Sequence, residues 1–178
     1  MRRPWWTGQV PSVRTPLGRL PWWSVVAANA VFWPSWTAAC GYALHRLPRS
    51  VLADDTVVTR ARSFEDHGHF YDRTLHIQRW KDRLPEAGAA FEGGFAKREV
   101  GGTDPAILGR FVAETRRAEL THWAVASGVV VPLLWNPWWA LPAHVAVAAG
   151  SNLPCIAIQR YNRARLQRVL DRLSHRER

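Results

Sequence analysis

The chain has 178 residues, a net charge of +10, 11 Trp and 2 Cys. That length suits one domain or a few bilayer crossings. Cys40 and Cys155 both lie inside apolar runs, which argues against a disulfide scaffold or a cysteine metal site. No nucleic-acid motif accompanies the basic surplus, so the charge points to anionic headgroups or a phosphate-bearing ligand.

Residues 1–21 form a basic, Trp-rich leader. Residues 22–44, WWSVVAANAVFWPSWTAACGYAL, then run 23 positions without a charge, enough for a membrane helix. The run is long for a cleaved signal and lacks a clean cleavage site, so a retained span is predicted, or a re-entrant helix bent at Pro34. Tryptophans beside both apolar blocks suit the headgroup level, where a ring can be apolar at one end and hydrogen-bonded at the other.

Residues 45–122 are polar and hold 12 of the 14 acids, so carboxylate chemistry is expected there. SFEDHGHFYDR (63–73) packs Glu65, Asp66, His67, His69 and Asp72 around Gly68. Its His67-to-Asp72 spacing is one by which a carboxylate can orient a histidine that deprotonates a hydroxyl. IQRWKDRLP brings Arg79, Trp80 and Lys81, able to lie along headgroups or grip phosphates. EGGFAKREVGGTDP reads as a loop.

Asp104-Pro105 is a helix start, and Ile107, Leu108, Phe111, Val112 and Leu120 share one side at helical spacing. Within AETRRAELTHW, Glu119 and His122 are three apart on one face. They could form a carboxylate-oriented base, a metal-holding pair, or a simple hydrogen bond at the waterline.

Residues 123–158 are again free of Asp, Glu, Lys and Arg. Thirty-six residues suit two short membrane helices turning at Asn136-Pro137. Residues 159–178 then form a basic amphipathic helix suited to the inner leaflet. The fold class expected is an all-α integral membrane protein: N-terminal membrane helix, polar cytoplasmic central region, short transmembrane hairpin and basic tail helix. By the positive-inside rule the 45–122 region and the tail, with 13 and 7 Lys/Arg against 4 in the leader, face the cytoplasm. The side of the leader stays open.

SFEDHGHFYD, QRWKDRLP, ETRRAELTHW and NLPCIAIQRYNRARL, in that order, resemble the glycosyl-4,4′-diaponeurosporenoate acyltransferase family of staphyloxanthin-type carotenoid synthesis. The resemblance covers roughly residues 45 to 170 and is most specific in the last two blocks. It matches at Glu65, His67, Gly68, Arg79, Trp80, Lys81, Glu114, Arg117, Glu119, His122, Trp123, Gln159, Arg160, Tyr161, Asn162 and Arg165. It implies a multi-pass enzyme of the cell membrane that esterifies a sugar hydroxyl of a glycosylated carotenoid or similar isoprenoid glycolipid. In that family an amide can replace Asp72, which leaves His67 to another partner.

The mechanism expected uses acyl-CoA as co-substrate, with no cofactor and no metal. His122 oriented by Glu119, or else His67, removes the hydroxyl proton; Arg117, Arg160 or Asn162 meets the oxyanion. Glu65 joins His67, Glu119 and His122 in the expected catalytic set, and Arg79, Trp80, Lys81, Glu114, Arg117, Gln159, Arg160, Tyr161, Asn162 and Arg165 are expected to hold substrate. Partners are membrane lipid, the glycolipid acceptor, the acyl donor and other carotenoid-pathway enzymes. Two alternatives stay open: a metal-dependent membrane oxidoreductase ligated by Glu65, His67, His69, Glu114, Glu119 and His122, and a non-catalytic lipid-binding helper.

Overall fold

The computed structural model describes residues 11–83 and 104–176. The Trp5/Trp6 pair and most of the Gly-rich 92–105 loop lie outside the described residues.

The molecule opens with an element that an all-α reading lacks. Strands β1 (Ser12–Thr15) and β2 (Gly18–Pro21) form an antiparallel hairpin pairing Thr15 with Gly18 and Ser12 with Pro21. Pro16 presets the turn, and Gly18 takes φ +109°, open to glycine without strain. Val13 and Leu20 alternate with basic residues, a pattern of period two too short to stand out among prolines.

Helix α1 runs Trp22–His45, one residue past the expected boundary. Pro34 lies inside it without ending it, so the chain does not bend back there. Trp22, Trp23, Val26, Val31 and Tyr42 on this helix are exposed.

From Arg49 to Arg83 the chain forms short 3-10 turns, at Arg49–Leu52, Ser63–Gly68, Ile77–Arg79 and Lys81–Arg83, and one short helix, α2 (His69–Arg73). Such turns carry few internal hydrogen bonds, so outside groups must hold this segment.

Helix α3 spans Pro105–Ser127 and starts as expected: Asp104 caps it, its carboxylate accepting from Ala106 N at 2.8 Å. A 3-10 stretch, Gly128–Leu134, follows, with Pro132 inside it. The chain reverses at Asn136-Pro137, where Asn136 Nδ2 donates to Pro132 O at 2.9 Å. Helix α4 then runs unbroken from Leu141 to Arg176.

This corrects the expected hairpin of two separate short helices within 123–158. Its first arm is the end of α3 plus the 3-10 stretch; its second is the first half of α4. The change from apolar to basic at 158/159 alters which side of the helix is wet but not the backbone, because Gln, Arg and Leu are all good helix formers. Of the described helices, one spanning Trp138–His175 is long and apolar enough to cross a membrane by length and composition. Val145, Val147 and Leu153 stand exposed on it.

Helices α3 and α4 pack along each other, with α1 against α3. Trp36 of α1 donates to Ala124 O at 3.3 Å, and its indole lies where a side chain on Gly128 would sit, 2.2 Å from that Cβ position. Near the reversal, Asn29 and Asn136 exchange amide hydrogen bonds at 2.9 and 3.0 Å, and Trp135 Nε1 joins at 2.9 Å. The compact apolar core sits at the other end: Tyr71, Ile77, Ile158 and Tyr161, flanked by Phe70, Trp80 and Ala157.

Candidate active site where the turns meet the hairpin

The centre of the site is Glu119 on α3, fully buried. Its Oε1 accepts from Arg160 Nε at 2.6 Å and its Oε2 from Arg163 Nη2 at 2.6 Å, both from α4. Arg160 also donates through Nη1 to the buried Glu65 of the turn segment and through Nη2 to Val58 O at 2.5 Å. Arg163 Nη2 reaches Thr59 O at 2.6 Å. Two carboxylates and two guanidiniums thus balance in charge out of water. Such a cluster rests on every member being paired, since removing one partner leaves an uncompensated buried charge at about 3–5 kcal/mol. Arg163 Nη1 is buried without a partner among the described residues, one unspent donor in the cluster.

Arg160 and Arg163 can both face Glu119 because they are three apart on α4. Beside them Tyr71 is buried, and its phenol is pushed up to about 12 by that burial and then by the Glu65 carboxylate, with Arg160 opposing. It stays protonated through the physiological range.

This geometry revises the expected pairing of Glu119 with His122. Both Glu119 oxygens serve guanidiniums, with Trp123 Nε1 a further donor at 3.4 Å. His122 instead meets Asn152 of α4, Nδ1 to Oδ1 at 3.0 Å. The amide's orientation assigns the proton: Asn152 Nδ2 donates to Ala148 O at 2.9 Å, so Oδ1 is the acceptor and His122 Nδ1 carries the hydrogen. In the neutral ring the lone pair then lies on Nε2, the arrangement of a base.

His67 is exposed, on a loop with two successive non-glycine residues at positive φ, Asp66 at 44° and His67 at 51°. Gly68 follows at φ +93°, where a Cβ would lie 2.9 Å from Ala164 Cβ, so this loop sits hard against α4. Asp72 accepts from Gln78 Nε2 at 2.9 Å, a partner other than His67.

The residues expected to bind substrate divide. Arg117 is spent on structure: it donates to Glu114 at 3.0 Å and to the carbonyls of Leu44, His45 and Leu47 at 2.6, 2.8 and 3.0 Å, capping α1 where a cation meets the negative helix end. Arg160 is spent likewise, so neither is placed to meet an oxyanion. Tyr161 is core. Trp80 flanks that core and donates to Leu75 O at 2.9 Å. Lys81 pairs with Asp82 at 2.7 Å and Arg79 is exposed. Gln159 and Asn162 are half-buried, and Arg165 is exposed above the Tyr161 ring.

Three contributors lie outside the expected site residues: Arg163, Asn152 and Arg116. Arg116 is buried and binds Asp55 at 2.7 Å and the carbonyls of Leu52 and Ala53 at 3.0 and 2.7 Å. Asn152 had one signal, an amide inside an uncharged run. The arginines had none, since Arg163 finds its acid 44 positions away.

The candidate metal ligands do not converge: no group of three or more His, Cys, Asp and Glu able to hold an ion occurs among the described residues. Glu65 and Glu119 already share guanidiniums, which compete directly with a cation.

A family model for glycosyl-4,4′-diaponeurosporenoate acyltransferase matches residues 54–172. The proteins of that name from Staphylococcus aureus strains N315 and USA300 are each 26% identical over 133 residues, covering 74% of this chain and 79% of theirs. No solved structure matches the chain. The matched span holds the whole buried cluster, His67, His122 and Asn152.

Proposed function

Because this chain belongs to the glycosyl-4,4′-diaponeurosporenoate acyltransferase family, and is an acyltransferase, we propose that it moves a fatty acyl group from acyl-CoA to a sugar hydroxyl of a glycosylated carotenoid or similar isoprenoid glycolipid, at the cytoplasmic face of the membrane. The observation that carries the chemistry is the His122–Asn152 pair. An imidazole held by an amide oxygen, protonated at Nδ1 and free at Nε2, is set up as a general base.

In the step proposed, His122 Nε2 takes the sugar hydroxyl proton as the oxygen attacks the thioester carbonyl. The tetrahedral oxyanion collapses, the carbon–sulfur bond breaks, and the coenzyme A thiolate leaves. The imidazolium returns its proton to that sulfur, so the base is regenerated. The Glu65–Arg160–Glu119–Arg163 cluster touches no reacting atom in this scheme; it fixes the turn segment and the two helices around the base. Asn162, the other donor expected for the oxyanion, is half-buried ten residues along α4 from Asn152, about 15 Å at 1.5 Å per residue, and so lies nearer to the Gly68 loop than to His122.

A second assignment of the base has its own observation. His67 sits on consecutive positive-φ residues pinned to α4 through Gly68, and such backbone strain concentrates at functional sites.

A multi-pass arrangement is supported by the length of α1. It meets the hairpin reversal through Asn29 and the arginine cluster's end through Leu44 and His45, about 23 Å apart at 1.5 Å per residue. Exposed Trp22 and Trp23 lie on the Asn29 side of α1 and exposed Trp138 and Trp139 directly follow Asn136, and aromatic rings at that end with the ionic cluster at the other would suit two membrane boundaries. The leader then lies outside and the turn segment and α4's basic end inside. Proximity to other enzymes of carotenoid synthesis would supply the glycoside.

The test is ester formation by membranes given labelled acyl-CoA and lipid glycosides. His122→Ala is expected to lower kcat by roughly 100- to 10,000-fold. If His122→Ala keeps full rate and His67→Ala abolishes it, the base is His67; if both keep it, the assigned chemistry is wrong.

A further inference from the structure

On the basic end of α4, the five arginines with described side chains divide into two kinds. Arg160 and Arg163 turn inward to carboxylates and carbonyls, as do Arg116 and Arg117 on α3. Arg165, Arg168 and Arg172 turn to another face, and no carboxylate pairs with them among the described residues. They line, with Val169, an open notch of about 250 Å³. The three are spaced i, i+3, i+7, so they form one row about 10 Å long on a helix that rises 1.5 Å per residue. Two are held in place by contacts that consume little of their donor capacity. Arg168 Nη1 lies 3.1 Å from His69 Nε2 of α2, and the Arg165 guanidinium lies 5.6 Å from the centre of the Tyr161 ring.

We propose that this notch is an anion site for phosphate groups, with Arg165, Arg168 and Arg172 as its donors and His69 as the residue that positions Arg168. Guanidiniums offer planar pairs of N–H donors matched to phosphate oxygens, and a row of three has room for two phosphates. A histidine accepting from Arg168 leaves the guanidinium's remaining N–H groups pointing outward. The acid-free lining separates this row from the paired arginines: like charges gathered without counter-ions are stabilised by an anion that arrives from outside. Two sources share the chemistry, the phosphates of an acyl-CoA donor and a phospholipid headgroup. The first deepens the acyl-CoA reading and rests on it; the site itself does not.

The experiment uses the full chain in neutral detergent, titrated with inorganic pyrophosphate by calorimetry, beside R168Q/R172Q and the charge-keeping R168K/R172K. Circular dichroism verifies that helix content is equal. Wild type is expected to bind, the Gln variant to bind at least about tenfold more weakly, and the Lys variant to fall between, because charge remains but the fork is lost. The three proteins are then assayed with acyl-CoA and with acyl-pantetheine, which lacks those phosphates. A KM for acyl-CoA raised about tenfold in the Gln variant at near-constant kcat, with acyl-pantetheine unaffected, assigns the notch to the donor. Unchanged donor kinetics together with lost preference for phosphatidylcholine vesicles containing phosphatidylglycerol assigns it to the headgroup. Absence of pyrophosphate binding by wild type, or equal binding by the Gln variant, overturns the site. Pyrophosphate binding by a wild type that transfers nothing from acyl-CoA keeps the site and sinks the donor reading.

Discussion

Gly68 shows what a single missing methyl group secures. The loop bearing Glu65 and His67 reaches α4 only because position 68 combines φ +93° with a 2.9 Å approach to the Ala164 methyl. Gly68→Ala is expected to destabilise the protein by about 1–3 kcal/mol, seen as a lower midpoint in thermal unfolding in detergent. Ala164→Gly in the same chain should return only part of the loss, because it relieves the contact and leaves the backbone strained; full recovery would show that φ is not limiting. At this scale the sequence was half legible. Glu65, Glu119, Arg160 and His122 stand out as residue types, yet their pairing does not. Reading along a helix joins Glu119 to the nearest polar neighbour on its face, His122. The fold joins it instead to guanidiniums 41 and 44 positions away, since a charge-assisted bond to arginine is stronger than one to a neutral ring.

Among the elements, the tie between α1 and the hairpin reversal is testable by itself. Asn29 and Asn136 trade amide hydrogen bonds in surroundings otherwise made of Phe32, Trp36 and Trp135. A double-mutant cycle with Asn29→Ala and Asn136→Ala should give a coupling of about 0.6 kcal/mol, and at most about 1.7, the range for polar pairs between membrane helices. Coupling near zero would mean that packing alone holds α1. Starts and turns were legible in the sequence because they depend on local chemistry: Asp104 before Pro105 caps α3, and Asn136-Pro137 reverses the chain. The ends of helices were not. Pro132 sits where α3 has already tightened into a 3-10 stretch, whereas Pro154 lies inside α4 without ending it. The β1–β2 hairpin escaped because its alternation lasts four residues on each side.

For the molecule as a whole, orientation is the open quantity that the helices constrain together. With Cys40 and Cys155 replaced by Ala, Ser12→Cys should react with an impermeant maleimide in intact cells, and Ser174→Cys only after permeabilisation. Both reacting alike would overturn the proposed arrangement with the leader outside and the basic tail inside. Overall charge bias pointed to the cytoplasm for the basic segments and was silent on the leader; the side proposed for it rests on α1 running the full distance between reversal and arginine cluster. One feature of that assembly reaches beyond this chain. Arg116, Arg117, Arg160 and Arg163 grip the stretch from 44 to 59 through the main-chain oxygens of Leu44, His45, Leu47, Leu52, Ala53, Val58 and Thr59. A carbonyl is the same whatever side chain stands beside it. Apart from Asp55, whose carboxylate Arg116 also binds, and the buried Leu52 and Thr59, the held segment is therefore free to drift in sequence while its path stays put, and much of the information that specifies the path is stored in the four residues that do the holding.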